Sequence, residues 1–286
     1  MAGRRRWTVG RLTMALVVGA LVLSATEPAT AAGRAGSDAA EATHTVTFSG
    51  VVTCTGTGWP VQGVWVENRD GSDGFARWWA FPGRPKAARY RITVTATRPD
   101  PSVRLDIGCG RSGNDWRKTL LTPDFRTTNG APENRRCDTS RANRARACTS
   151  APRGQEAEDP LGIAGYCTDG AYRKWHAYAG YWPRIGGNAN EMDELAEQHG
   201  FQVAKVPHVA SMVVFNSAAP PYGHVGWVVD VYRDGAGTVR FDYIDMNGGT
   251  GGTAANDYHT SLFNQFDRKN GRAWDPNDQA FIVAPT

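Results

Sequence analysis

The chain has 286 residues, 21% of them charged and 10% aromatic, a globular balance that allows one large or two ordinary domains. Of its formal +4 charge, segment 1–31 carries +3, from Arg4, Arg5, Arg6 and Arg11 against Glu27. About +1 remains for the rest, so nothing global argues for nucleic acid and no such partner is expected.

Segment 1–31 reads as a signal peptide. A charged start is followed by an apolar run over 12–23 and a small-x-small site at Ala29-Thr30-Ala31. The run is short for a membrane span, and small residues follow it, so export without a stable membrane anchor is expected. Arg5-Arg6 does not choose between export routes. Residues 32–43, small and polar, read as a disordered leader.

From 44 to 121 the pattern is β. Alternation over 45–48, 51–54, 61–67, 90–96 and 103–107, with turn signals between, predicts a small all-β, sandwich-like domain. Trp78 and Trp79 are adjacent and so point to opposite faces of a strand. Packing of both is the simpler reading; a sugar-stacking platform is the alternative. Residues 122–159 turn polar and arginine-rich, with Arg135, Arg136, Arg141, Arg144, Arg146 and Arg153, and read as a linker.

The remainder, 160–286, reads as α+β. Helices are expected from Cys167 to about residue 178 and over 190–200. Strands are expected at Ser211–Phe215, 224–232 and Val239–Met246, with a late strand at 280–283. Five cysteines in an exported chain leave one over. Cys54 and Cys109 belong to the β domain and Cys137 and Cys148 share the linker, so the expected pairs are Cys54–Cys109 and Cys137–Cys148, with Cys167 free.

Cys167 opens its helix, where the dipole favours a thiolate. His224 heads an apolar strand, and Asp245 and Asn247 end the next one. Alone, each has a bland reading: a packing cysteine, a core histidine, a strand-end turn. Together and in this order they are the parts of a cysteine hydrolase. The register between the two strands decides whether they meet. A hairpin loop over 234–237 sets Gly226 opposite Asp245 and His224 opposite Asn247; an odd loop needs a bulge to restore that parity. There is no His-Glu-x-x-His, no Cys-x-x-Cys and no EF-hand loop, so no metal site or other cofactor is expected.

Five spaced segments resemble a CHAP domain, the cysteine- and histidine-dependent amidohydrolase/peptidase family. They are Gly165-Tyr166-Cys167-Thr168, Gly187-Asn188-Ala189, Met212-Val213-Val214-Phe215, Tyr222-Gly223-His224-Val225 and Ile244-Asp245-Met246-Asn247. The resemblance covers a little under half of the chain. It implies a papain-like (NlpC-type) fold for 160–286 and a secreted hydrolase of peptidoglycan amide bonds. Cys167 is then the nucleophile and His224 its acid/base, with Asp245 or Asn247 orienting the imidazole. Many members carry glutamine where Tyr166 stands and glutamate where Asp245 stands. Oxyanion donors are expected from the Cys167 amide and, as a candidate, the Tyr166 hydroxyl. Two other readings are an acyltransferase using the same site and a non-catalytic wall-binding or adhesion protein with a degenerate fold. The basic run at 135–153 reads first as a solvated face, with contact to an anionic wall polymer as the alternative.

Overall fold

The computed structural model describes residues 43–56, 58–141 and 144–286. The signal peptide and nearly all of the leader lie outside the described residues.

Two sheets form the first half. One orders its strands β10-β9-β1-β5-β4, from β1 (His44–Thr55), β4 (Arg77–Phe81), β5 (Arg84–Ala96), β9 (Arg135–Asp138) and β10 (Cys148–Thr149). The other runs β3-β2-β6-β7, from β2 (Val61–Asn68), β3 (Gly74–Phe75), β6 (Ser102–Cys109) and β7 (Lys118–Leu121), with β8 (Phe125–Arg126) pairing β6. Alternation sends Phe48, Val52, Tyr90 and Ile92 from the first sheet against Val64, Val66, Leu105 and Ile107 from the second. Cys54–Cys109 joins the sheets through this core and Cys137–Cys148 ties β9 to β10, as expected.

The second half holds a short pairing of β11 (Glu156–Ala157) with β12 (Trp182–Pro183), and a six-stranded antiparallel sheet. The sheet order is β13-β18-β14-β15-β16-β17, from β13 (Gln202–Ala204), β14 (Ser211–Phe215), β15 (His224–Arg233), β16 (Val239–Met246), β17 (Phe266–Ala273) and β18 (Gln279–Val283). Helix α1 (Cys167–Ala179) packs on one face through Ala171, Tyr172 and Trp175. Helix α2 (Met192–Gln198), preceded by one turn of 3-10 helix, covers the same face through Met192 and Ala196. The mixed α and β character expected for this half is present.

The linker expectation is corrected. Residues 122–159 include β8 to β11, and β9 pairs in parallel with β1. Arg136, Arg141, Arg144, Arg146 and Arg153 are exposed, but Glu133, Asn134 and Arg135 are buried with partners. Asn134 Oδ1 accepts from the Val51 amide and its Nδ2 donates to Val209 O at 2.9 Å. Arg135 pairs with Glu133 at 2.7 Å, both nearly fully buried. Trp78 and Trp79 pack as the simpler reading held, Trp78 into the sandwich and Trp79 against Phe81. The far face of the six-stranded sheet is covered too. Val213, Phe215, Val228 and Phe281 meet Val51, Phe81 and Ala87 of the first sheet in one apolar cluster. The described residues belong to one compact unit in which the helices, the six-stranded sheet and the sandwich stack as successive layers.

Candidate active site

Tyr166 is the N-cap residue of α1 in extended backbone, so Cys167 is the first helical residue. The first N–H groups of a helix have no helical acceptor, and the dipole adds positive potential there. Asp169 completes the cap from inside: its Oδ2 accepts from the Gly165 amide at 2.8 Å, and Arg173 pairs with it one turn on. Gly170 lets the helix approach β16, since a Cβ there would lie 2.6 Å from Met246 Cβ.

His224 Nε2 donates to Asp245 Oδ2 at 2.8 Å. That leaves Nδ1 for the Cys167 thiol, whose proton affinity is coupled to that of His224. The ring of His224 packs beside Phe215, with 6.1 Å between centroids and 27° between the planes. Asp245 is buried, and its Oδ1 has no hydrogen-bond partner among the described residues, so His224 is the main answer to its charge. Gly248 backs the carboxylate so closely that a Cβ would lie 2.2 Å from Oδ2.

Burial pushes the Cys167 thiol up. The hydrogen bond and charge of His224, with the backbone amides of Val225 and Thr168, outweigh it and hold the thiol below its ordinary value. Burial likewise lowers His224, but the Asp245 and Cys167 hydrogen bonds raise it to about 9. Both shifts favour a thiolate beside an imidazolium.

The register expectation resolves through its second branch. Arg233 pairs with Val239, so the hairpin loop spans the odd-numbered stretch 234–238. A bulge between Val228 and Asp230 then shifts the pairing by one, giving Trp227 opposite Ile244. Carried one step further, that register sets Gly226 beside Asp245.

Asn247 and Tyr166 do other work than expected. Asn247 sits at φ 57° and forms no hydrogen bond with His224 among the described residues. Its side chain donates to Tyr258 O at 3.0 Å and accepts from the Thr260 amide at 2.8 Å, closing the base of the loop over 248–262. The Tyr166 hydroxyl donates to Asp257 O at 2.6 Å and its ring packs on Phe263. Its one proton is committed to that loop and is not free for another acceptor.

These groups line a cleft of about 760 Å³. One wall is the glycine-rich start of the 248–262 loop; Asn188 and Ala189 lie on another. Tyr222 and Tyr258 meet edge-to-face across the mouth at 5.0 Å. Tyr258 escaped the sequence reading, and Tyr222 enters it only as the first residue of the segment Tyr222-Gly223-His224-Val225.

A cysteine at a helix N-terminus, a histidine and a buried carboxylate thus lie together in this cleft. The model of the CHAP domain family matches residues 158–247. Over 64 residues the chain is 42% identical to a probable autolysin of Staphylococcus aureus, a match that covers 22% of this chain and 22% of that protein. The chain thus spans about a fifth of the length of that curated relative. A crystal structure of an N-acetylmuramoyl-L-alanine amidase from Staphylococcus aureus is also similar, at 17% identity and a TM-score of 0.35 over 47% of this chain and 35% of that one.

Proposed function

We propose that the chain is a secreted cysteine hydrolase that cleaves amide bonds of peptidoglycan. The observation that carries this is the connected set of Cys167, His224 and Asp245 at the floor of an open cleft. The CHAP domain match at 158–247 and the autolysin relative support peptidoglycan as the substrate. Two disulfides suit an oxidising destination, and no helix among the described residues is long and apolar enough to cross a membrane. We read the helix-borne cysteine and sheet-borne histidine as a papain-like arrangement.

Cys167 Sγ attacks the amide carbonyl carbon, and the charge that develops on oxygen is met by the Cys167 N–H. His224 Nδ1 gives its proton to the leaving amine as the C–N bond breaks, leaving a thioester. Nδ1 then takes a proton from water, whose oxygen attacks the thioester and frees the thiolate. Asp245 holds Nε2–H throughout, so the same ring nitrogen faces the sulfur in both half-reactions.

Purified peptidoglycan incubated with the wild type should release new amino ends, and Cys167→Ala should release none above background. Mass spectrometry of the fragments then names the bond. Release that survives Cys167→Ala would remove the thiol from the reaction and sink this reading.

A further inference from the structure

A second groove, about 510 Å³, lies where the first sheet of the sandwich meets edge strand β13. Arg84, Lys86, Arg136 and Lys205 line it, with the hydroxyl-bearing Thr53 and Thr55, and among the described residues no carboxylate and no aromatic ring does. Three separate elements bring these cations together. The parallel pairing of β9 with β1 sets Arg136 beside Thr53, and the β1–β5 pairing sets Ala87, next to Lys86, on its other side. Lys205 follows β13 from the catalytic half.

Arg84, Lys86 and Arg136 form no ion pair among the described residues, and Lys205 has only a long contact with Asp193 at 3.8 Å. Elsewhere on the sandwich, Arg69, Arg104 and Arg126 are each neutralised by carboxylates. Four cations facing one groove repel one another and concentrate positive potential there, a cost that a bound anion reverses. All four side chains are exposed, so a single phosphate gains little from any one of them. A chain of closely spaced anions gains from several contacts at once and from release of its counterions.

We propose that this groove binds a phosphodiester-linked polymer of the cell wall, and so holds the catalytic cleft against the wall. The choice of polymer rests on the peptidoglycan reading above. Nucleic acid is disfavoured because among the described residues the groove offers no ring on which a base could stack.

The test titrates the purified chain with poly(glycerol phosphate) and, separately, with duplex DNA of matched charge, at low and moderate salt. Arg84→Ser/Lys86→Ser/Arg136→Ser should bind the glycerol phosphate polymer at least about tenfold more weakly and show a shallower salt dependence. Arg136→Glu, a second variant, should lose affinity in the same direction. Turnover of a soluble muropeptide should stay within about twofold of wild type, because none of these residues lines the catalytic cleft. Polymer affinity unchanged in both variants overturns the proposal. So does DNA that binds as tightly as the polymer through the same cations. Absence of turnover in the wild type counts against the hydrolase reading alone, since the binding arm needs no catalysis.

Discussion

At Cys167 burial and its neighbours oppose each other, and the neighbours win. The thiol is held below its ordinary value while His224 is raised to about 9, so both shifts favour the ion pair. Below the thiol's value the thiolate is protonated; above about 9 the imidazolium loses its proton. kcat/KM for a soluble amide should therefore be bell-shaped, with its alkaline limb near pH 9. Asp245→Asn removes the first of the influences that raise His224. The alkaline limb should move down, and kcat should fall by roughly a hundredfold or more as the ring loses its fixed tautomer. An unmoved limb would mean that Asp245 does not set the charge of His224. Tyr166→Phe, by contrast, should leave kcat within about threefold of wild type, because its hydroxyl serves the Asp257 carbonyl and not the reacting oxygen.

Strand and loop geometry decide whether these side chains meet. The odd loop at 234–238 alone would have turned Asp245 to the wrong face; the bulge before Asp230 returns it. Gly248 then fixes the carboxylate from behind. Gly248→Ala should push Asp245 off Nε2 and lower kcat by about a hundredfold, with the melting temperature nearly unchanged. Enzyme assays paired with thermal melts separate this from misfolding, and full activity in the alanine variant would mean that the loop gives way instead. Opening Cys54–Cys109 by double serine substitution should destabilise the chain by about 2–5 kcal/mol, read by denaturant unfolding, because that bond joins the two sandwich sheets. Cys167, His224 and Asp245 were legible in the sequence because each sits in its own local pattern: a helix start, a strand start, a strand end. The bulge was not, because pairing register depends on packing against both faces. The role of Asn247 was not either. An αL backbone and two loop hydrogen bonds explain an asparagine there as well as any catalytic duty does. The supposed linker misled for a related reason, since Asn134 and Arg135 look solvated in composition yet are buried with partners.

Taken whole, the sandwich is part of the catalytic half's support. It covers the sheet face opposite the helices with Val51, Phe81 and Ala87, and Arg89 Nε donates across the seam to Val231 O at 3.1 Å. A fragment over 158–286 would bare that apolar face, so it should aggregate or lack fixed tertiary packing, whereas the full chain should melt in one calorimetric transition. A soluble, active fragment would show that the two halves fold independently. The seam also predicts an acid limit. His208 is buried, its Nδ1 donating to Val206 O at 2.8 Å. Burial, with the charge of Arg89, depresses it to about 4. The imidazole is thus neutral in the folded chain while the unfolded chain takes up a proton near pH 6.5, so stability is complete above that value. It falls as pH drops from there towards about 4, by about 3 kcal/mol in all. Urea unfolding at neutral and at acid pH should show this loss in the wild type, and His208→Gln, which cannot take up the proton, should lose correspondingly less. Equal acid losses in the two proteins would assign the sensitivity to the carboxylates and remove His208 from the account.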